Sequence, residues 1–281
     1  MILCTKMNGN GNDFLIIDNM DLKYSKEILS GYAKALCRRR ESLGADGILV
    51  AEPSGVCDFK MRLFNRDGTE GEMCGNGARC IARYAFLKRI AKDPVMAFET
   101  LGGRVEAAVQ GARVVIKLSP VDVSGLILDV PASVEGYGFN YTFLTVGVPH
   151  TVIFEKEKLN SEDFYRKIGR SIRLRTDLFP EGSNINFVSP RGSFDKGLEV
   201  LTYERGVEDL TLSCGTGSTA SAIAAFKAGL TGPVVDVYNP GGLNRVSLLE
   251  GPSDTLLPEL EGGASYIAEI EASEEALEKY N

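Results

Sequence analysis

The sequence predicts a mixed α/β chain made of two similar domains that face each other across a cleft. Two observations carry that expectation. Short runs rich in Ile, Val, Leu and Phe outnumber the helical patterns and do not alternate regularly with them, which argues against a doubly wound parallel sheet. The second is an internal repeat: Cys74-Gly75-Asn76-Gly77 returns 140 residues later as Cys214-Gly215-Thr216-Gly217. Ala82, Ala85 and Phe86 after the first copy match Ala222, Ala225 and Phe226 after the second. A strand-like run ending in a polar turn precedes each, Phe64-Asn65-Arg66-Asp67-Gly68 and then Tyr203-Glu204-Arg205-Gly206. The boundary is expected near Ser119-Pro120. That places Cys74 in a first domain over 1–118, completed by the C-terminal segment 266–281, and Cys214 in a second over 119–265.

Taken in order, the expected strands are Phe14 to Asp18, Gly47 to Ala51, Met61 to Phe64, Arg104 to Val109 and Ala112 to Leu118, with Gln110-Gly111 as a hairpin turn. They continue with Phe143 to Val146, Thr151 to Phe154, Asn184 to Val188 and Leu198 to Tyr203. Val234 to Tyr238, Arg245 to Leu249 and Tyr266 to Ile270 complete the set. Ser25 to Arg40 and Ser161 to Arg173 each start with a serine followed by acidic residues, an N-cap pattern. The other helices are expected after Cys74 and after Cys214, with a short terminal one over Ser273 to Tyr280. Arg38-Arg39-Arg40 is expected to close the first helix, where cations suit the carbonyl end of the dipole.

The 281 residues suffice for two buried cores. A net charge of -7, from 31 basic and 38 acidic residues, argues against a nucleic-acid partner. No run approaches the roughly 18 apolar residues of a membrane helix, and the first residues lack signal-peptide features. A cytoplasmic protein is therefore expected. His150 is the only histidine and there is no Cys-x-x-Cys, so no zinc site is expected. The six cysteines are too sparse for a secreted disulfide framework.

Each Cys-Gly-x-Gly opens an expected helix. A cysteine there sits beside unsatisfied N–H groups and the positive end of the dipole, which favours thiolate. Glycines let a ligand approach the backbone, and two such helix starts aimed at one point can hold a carboxylate. Moving an α-proton needs a base on one face of the carbon and an acid on the other, roles that a thiolate and a thiol can exchange. Water exclusion by domain closure would assist so weak a carbon acid. Most cysteines are inert core filler, and that reading holds for Cys4, Cys37, Cys57 and Cys80, which lack a matched surrounding pattern. It fits Cys74 and Cys214 poorly, because the same glycines surround both. A P-loop is excluded, since no Gly-Lys-Ser/Thr follows either cluster. His150, expected in a Gly/Pro loop, could tune a thiol rather than merely fill space. Glu204 and Arg205 head the second cysteine loop, where charge would meet a zwitterion.

With these residues assembled, the chain resembles the diaminopimelate epimerase family. The matching segments are Asn10-Gly11-Asn12-Asp13-Phe14, Gly44-Ala45-Asp46-Gly47 and Phe64-Asn65-Arg66-Asp67-Gly68 running into Glu72 to Cys80, then Pro149-His150, Gly182 to Phe187, Tyr203 to Gly206 and Cys214 to Gly217. The resemblance implies conversion of LL- to meso-diaminopimelate for lysine and peptidoglycan synthesis, without pyridoxal phosphate or metal, by a homodimer. It implies two β-barrel-like domains, each around a central helix. Carried over by position, Cys74 and Cys214 are the acid/base pair, with His150 and Glu204 supporting their protonation. Backbone at Gly75-Asn76 and Gly215-Thr216 would hold the reacting carboxylate. Asn12, Asn65, Asn184, Glu204 and Arg205 would contact substrate, with Asn65, Asn184 and Arg205 nearer its distal end. Val148 stands where many members have Asn, Gly47 where some have Gln, and the Glu204-to-Cys214 loop is one residue longer than the commonest form. A two-cysteine racemase for histidine or proline is the nearest alternative. A dithiol redox enzyme and a silent amino-acid-binding module are the others.

Overall fold

The structure is a computed structural model that describes residues 1–159 and 161–278. The chain forms two compact units: Met1–Ile116 with the C-terminal stretch from Gly262, and Lys117–Glu261.

In the first unit the strands run side by side in the order Gly103–Gln110, Val95–Thr100, Phe59–Asn65, Gly47–Glu52, Asn12–Asp18, Ile2–Gly9 and Ser265–Ala272. Neighbours are antiparallel, except that Val95–Thr100 lies parallel to Phe59–Asn65 and Gly47–Glu52 parallel to Asn12–Asp18. Helix α1 spans Lys26–Leu36 and α2 spans Gly75–Leu87. Helix α2 touches Ile2–Gly9 and Ser265–Ala272 at one flank and Gly103–Gln110 at the other. A single helix reaches both flanks only because the sheet curls around it. Helix α1 covers the opposite face, where Leu29, Ala33 and Leu36 meet Leu15, Ile17, Ile48, Val50 and Phe64. The intervening Phe14 and Leu49 point the other way, to Gly77 of α2. Both faces of the parallel pair are thus covered, which is why 14–17 and 47–51 read as unbroken apolar runs. Each such Leu, Ile or Phe contributes about 1.5–3 kcal/mol on burial, more than a typical cap of about 1 kcal/mol.

The second unit repeats this plan. Its order is Gly242–Glu250, Val234–Asn239, Ser193–Glu204, Asn184–Arg191, Val148–Phe154, Tyr137–Val146 and Ile127–Val134. Parallel pairs fall at the same two places. Helix α3 (Glu162–Arg173) takes the outer position, packing Tyr165, Ile168 and Ile172 on Phe187, Leu201 and Tyr203. Helix α4 (Gly215–Lys227) is the central one, touching strands from Tyr137–Val146 round to Gly242–Glu250. Ser265–Ala272 holds in the first unit the place that Ile127–Val134 holds in the second, so the chain's last strand completes its first sheet.

Several local expectations are corrected. Helix α1 ends at Leu36 with Cys37 as its C-cap, so Arg38-Arg39-Arg40 lies beyond it. Arg39 instead pairs with Asp13 and Asp46. The terminal helix is a short 3-10 turn, Glu275–Leu277, and Tyr280 lies outside the described residues. Cys57 is half-buried in a turn rather than in the core. His150 lies within the strand Val148–Phe154, because the loop shrinks to Gly147 alone at φ 69°.

Gly169 faces Tyr203, and a Cβ there would lie 2.8 Å from the Tyr203 Cβ. Gly169→Leu should therefore lower unfolding free energy by about 1–3 kcal/mol through overpacking. An unchanged urea midpoint would show that α3 can move away without loss.

Candidate active site

The two repeated cysteines occupy the same structural position. Cys74 and Cys214 are the N-caps of α2 and α4, with extended backbones at φ -135°, ψ 122° and φ -110°, ψ 115°. Their carbonyls accept the first helical bonds, from Ala78 N–H at 2.7 Å and Ser218 N–H at 2.9 Å. The loop ahead of each is tied to the next hairpin in the same way. Gly102 N–H donates to the Glu72 carbonyl at 3.2 Å, and Gly241 N–H to the Leu212 carbonyl at 2.7 Å.

At Cys214 the sulfur accepts the Gly217 N–H at 3.3 Å and lies 3.4 Å from the Thr216 hydroxyl. Such a donor, at the positive end of the helix dipole, lowers the cost of a thiolate. Gly217 must be glycine, since a Cβ would fall 2.5 Å from Asn186 Oδ1. Three other cysteines contrast with this. Burial pushes the thiols of Cys4 up to about 11 and of Cys37 and Cys80 up to about 12, so they stay protonated.

In the first unit Asn12 and Asn76 are joined directly, the Asn76 amide donating to Asn12 Oδ1. Asn12 in turn donates to Asp46 at 3.1 Å, and Arg39 bonds the other Asp46 oxygen at 2.8 Å. Asn76 Oδ1 accepts from Arg79 Nη2 at 2.7 Å. Arg79 is fully buried, and desolvation pulls its pKa down. This chain of contacts fixes the first turn of α2, including Gly75. Asn65 is exposed at the end of its strand, its amide bonded to Thr69 Oγ1 at 3.1 Å.

In the second unit His150 is completely buried, and burial pushes its pKa down to about 3. Its Nδ1 lies 3.2 Å from Asn186 Nδ2, which also donates to the Thr151 carbonyl at 3.1 Å. The Asn186 amide is the donor, so Nδ1 accepts and Nε2 carries the proton. That Nε2 has no partner among the described residues. Asn184 is the register partner of His150, and its Oδ1 accepts the Arg205 N–H at 2.7 Å. The Arg205 guanidinium bonds the Glu181 carbonyl at 2.6 Å. Glu204 is half-buried, and desolvation raises its pKa against opposing hydrogen bonds with Thr211 and with the Cys214 thiol.

The second unit thus gathers Cys214, Thr216, Gly215 and Glu204 at one helix start, with His150 and Asn184 on the adjoining strands and Arg205 in the turn after Ser193–Glu204. The first gathers Cys74, Gly75, Asn76 and Asn12, with Asn65 in the turn. Asp46, Arg79, Asn186 and Thr202 are supporting residues that the sequence did not single out. Asn186 was accessible to alternation, being two residues from Asn184 in one strand. Among the described residues no group of three or more His, Cys, Asp or Glu is set to hold a metal. No helix among them is long and apolar enough to cross a membrane.

The family model described as diaminopimelate epimerase matches residues 4–121 and 142–253. The chain belongs to the diaminopimelate epimerase family. Among its relatives, the diaminopimelate epimerase of Methanocella arvoryzae is 39% identical, over 90% of this chain and 94% of that one. The diaminopimelate epimerase of Aquifex aeolicus is 37% identical, over 97% and 98%. Two solved structures share the fold. A probable proline racemase from Agrobacterium radiobacter superposes with TM-score 0.71 at 15% identity, covering 98% of this chain and 93% of that one. A hydroxyproline epimerase from Agrobacterium vitis gives 0.69 at 14%, covering 96% and 90%. Membership of the diaminopimelate epimerase family makes this chain an isomerase.

The buried His150 links the site to stability. Its pKa is lower folded than unfolded, so the unfolded state binds more protons between about pH 6.5 and about 3. Its contribution is present above that window and is lost as pH falls through it, by at most about 1.4 kcal/mol per pH unit. Glu204, raised, acts with the opposite sign. Urea unfolding of wild type and of His150→Gln between pH 7 and 4.5 isolates the histidine. The variant should show the shallower acid loss, and parallel curves would contradict a neutral buried imidazole.

Proposed function

We propose that this protein interconverts LL- and meso-2,6-diaminopimelate with Cys74 and Cys214 as the two acid/base groups and no pyridoxal phosphate or metal. The observation that carries the reading is the duplicated device: two thiols, each N-capping a buried helix behind Gly-x-Gly, in two units with the same strand order. In each direction one cysteine is a thiolate and removes the α-proton, becoming a thiol. The other, a thiol, delivers its proton to the opposite face and becomes the thiolate. The electron pair left on the α-carbon spreads into the substrate carboxylate, which backbone N–H groups at Gly75-Asn76 and Gly215-Thr216 stabilise. Each N–H donor of this kind is worth about 3–4 kcal/mol at a developing oxyanion.

The remaining assignments follow the chemistry. Glu204 accepts from the Cys214 thiol, and neutral His150 offers Nε2–H as a donor. Asn12 and Asn76 orient the reacting end, while Asn65, Asn184 and Arg205 recognise the distal amino-acid end. The catalytic halves are the segment over 1–118, joined by the C-terminal segment, and the segment over 119–265. The working protein is a cytoplasmic homodimer that supplies lysine and peptidoglycan synthesis.

Reduced protein without added cofactor, given LL-diaminopimelate in deuterium oxide, should yield meso product deuterated at one α-carbon. No exchange with verified thiols, alongside turnover of proline or histidine, would overturn the substrate. Cys74→Ala and Cys214→Ala should each lower epimerisation at least 1000-fold while costing no more than about 0.5–2 kcal/mol of stability, the usual range for losing a helix cap, so that both variants stay folded. Near-normal epimerisation by either variant would eliminate the two-base assignment.

A further inference from the structure

The two cysteine loops differ in what lies beneath them, although their backbones match. Under Cys214 runs a buried polar cluster. Asn244 is fully buried, and its amide donates to Ser213 Oγ at 3.1 Å and to Ser218 Oγ at 3.0 Å. The Ser218 hydroxyl donates to the Cys214 carbonyl at 2.9 Å, and Asn239 Nδ2 donates to Ser218 Oγ at 3.1 Å. These contacts tie the residue before Cys214, the carbonyl of Cys214 and the first turn of α4 to two neighbouring strands.

The repeat identifies the first-unit counterparts by register. Asn244 pairs with Val237 as Val105 pairs with Phe98, so Val105 takes the asparagine's place. Ala78 matches Ser218, since each donates its N–H to the cysteine carbonyl four residues back. Met73 stands for Ser213. Thr100 stands for Asn239, and its hydroxyl bonds the Gly103 carbonyl within its own hairpin. The first unit therefore places buried Ala78 and Val105 where the second builds hydrogen bonds with Ser218 and Asn244, while Met73 is exposed. A hydrophobic filling is the cheaper way to stabilise such a place, because buried polar groups cost free energy unless every one is satisfied. A polar cluster at this place in the second unit, where its counterparts Ala78 and Val105 in the first are apolar, points to a geometric task there.

We propose that Asn244, acting through Ser213 and Ser218, is a positioning residue that holds the Cys214 thiol against the Gly217 N–H. The inference deepens the two-cysteine reading and rests on it. The sulfur-to-nitrogen distance of 3.3 Å depends on where the Cys214 backbone sits relative to the first turn of α4. Asn244 fixes the chain on one side of that cysteine, and Ser218 fixes its carbonyl on the other. A displacement near 1 Å can cost a catalytic group about 100-fold. Cys74 lies in the other unit, where Ala78 and Val105 take the places of Ser218 and Asn244 and the helix start is held by the Asn12–Asn76–Arg79 chain, so substitutions at Ser218 and Asn244 leave it unaffected.

The test uses the intact protein without substrate. Iodoacetamide alkylation of Cys74 and Cys214, resolved by peptide mass spectrometry across pH 5–10, is compared for wild type, Asn244→Val and Ser218→Ala. Both substitutions install the residue type found in the first unit, and Ser218→Ala removes a single oxygen, so it guards against a failure to fold. The expected result is an upward shift in the apparent pKa of Cys214 alkylation in both variants, with the Cys74 profile unchanged. Epimerisation should lose 10- to 100-fold in kcat, with KM moving less than threefold. An unmoved Cys214 profile, or equal shifts at both cysteines, would overturn the proposal. Alkylation needs no substrate, so a wrong substrate assignment would appear in the turnover assay alone.

Discussion

The unsatisfied N–H groups at the start of a buried helix are the constraint from which the rest of this structure follows. Helices α2 and α4 are enclosed by their own sheets, so their first donors cannot all turn to water. An ordinary Ser or Asp cap would satisfy one of them and leave an inert helix start. A cysteine in that position accepts weakly through sulfur, and its thiolate accepts well. The helix start thus gains from ionising its own cap, and the two glycines leave its other donors open to a ligand carboxylate. A curled sheet with a helix at its centre is what brings such a helix start under cover without closing it off.

Duplication gives two of these devices, and the units then diverge in the residues that surround them. The Asn12–Asn76–Arg79 chain supports the first with an amide pair and a buried guanidinium. The second has Glu204 and a neutral His150, together with a polar cluster under the loop. The backbone is symmetric and the side-chain chemistry is not. That is the pattern expected if, as proposed above, the two proton-transfer steps present one carbon's opposite faces to unlike groups.

The repeat made the fold class and the two thiols legible, because a glycine pattern occurring twice at matched spacing has few structural explanations. The twelve expected strands all fall on observed ones. Three of the missed strands share a cause, an apolar pattern broken for reasons that lie elsewhere in the fold, whereas Val95–Thr100 was missed despite its apolar start. Ile2–Gly9 carries Lys6, which pairs with Asp13 on the next strand. Ile127–Val134 carries Pro131 and a bulge at Asp129, whose φ is 51°, both features of a guarded edge. Thr255–Gly263 contains Pro258 and ends in paired glycines. His150 was misplaced in a loop because Gly147-Val148-Pro149 reads as a turn, whereas Gly147 turns the chain alone. Supporting residues such as Asp46 and Arg79 gave no local signal, since their roles depend on partners distant in sequence.

The neutral histidine shows how burial and chemistry are linked in this protein. A charged imidazole in this half-site would favour a nearby thiolate permanently, whereas the two-base reaction proposed above asks that thiol to hold and release a proton in alternate directions. Complete burial keeps the ring uncharged, and Asn186 fixes its tautomer through a carbonyl and a hydroxyl that leave the amide no freedom to turn. The ring then contributes a fixed dipole in place of a charge. Burial acts on Glu204 in the same sense, against its charged form: desolvation raises its pKa, and hydrogen bonds with Thr211 and Cys214 oppose the rise.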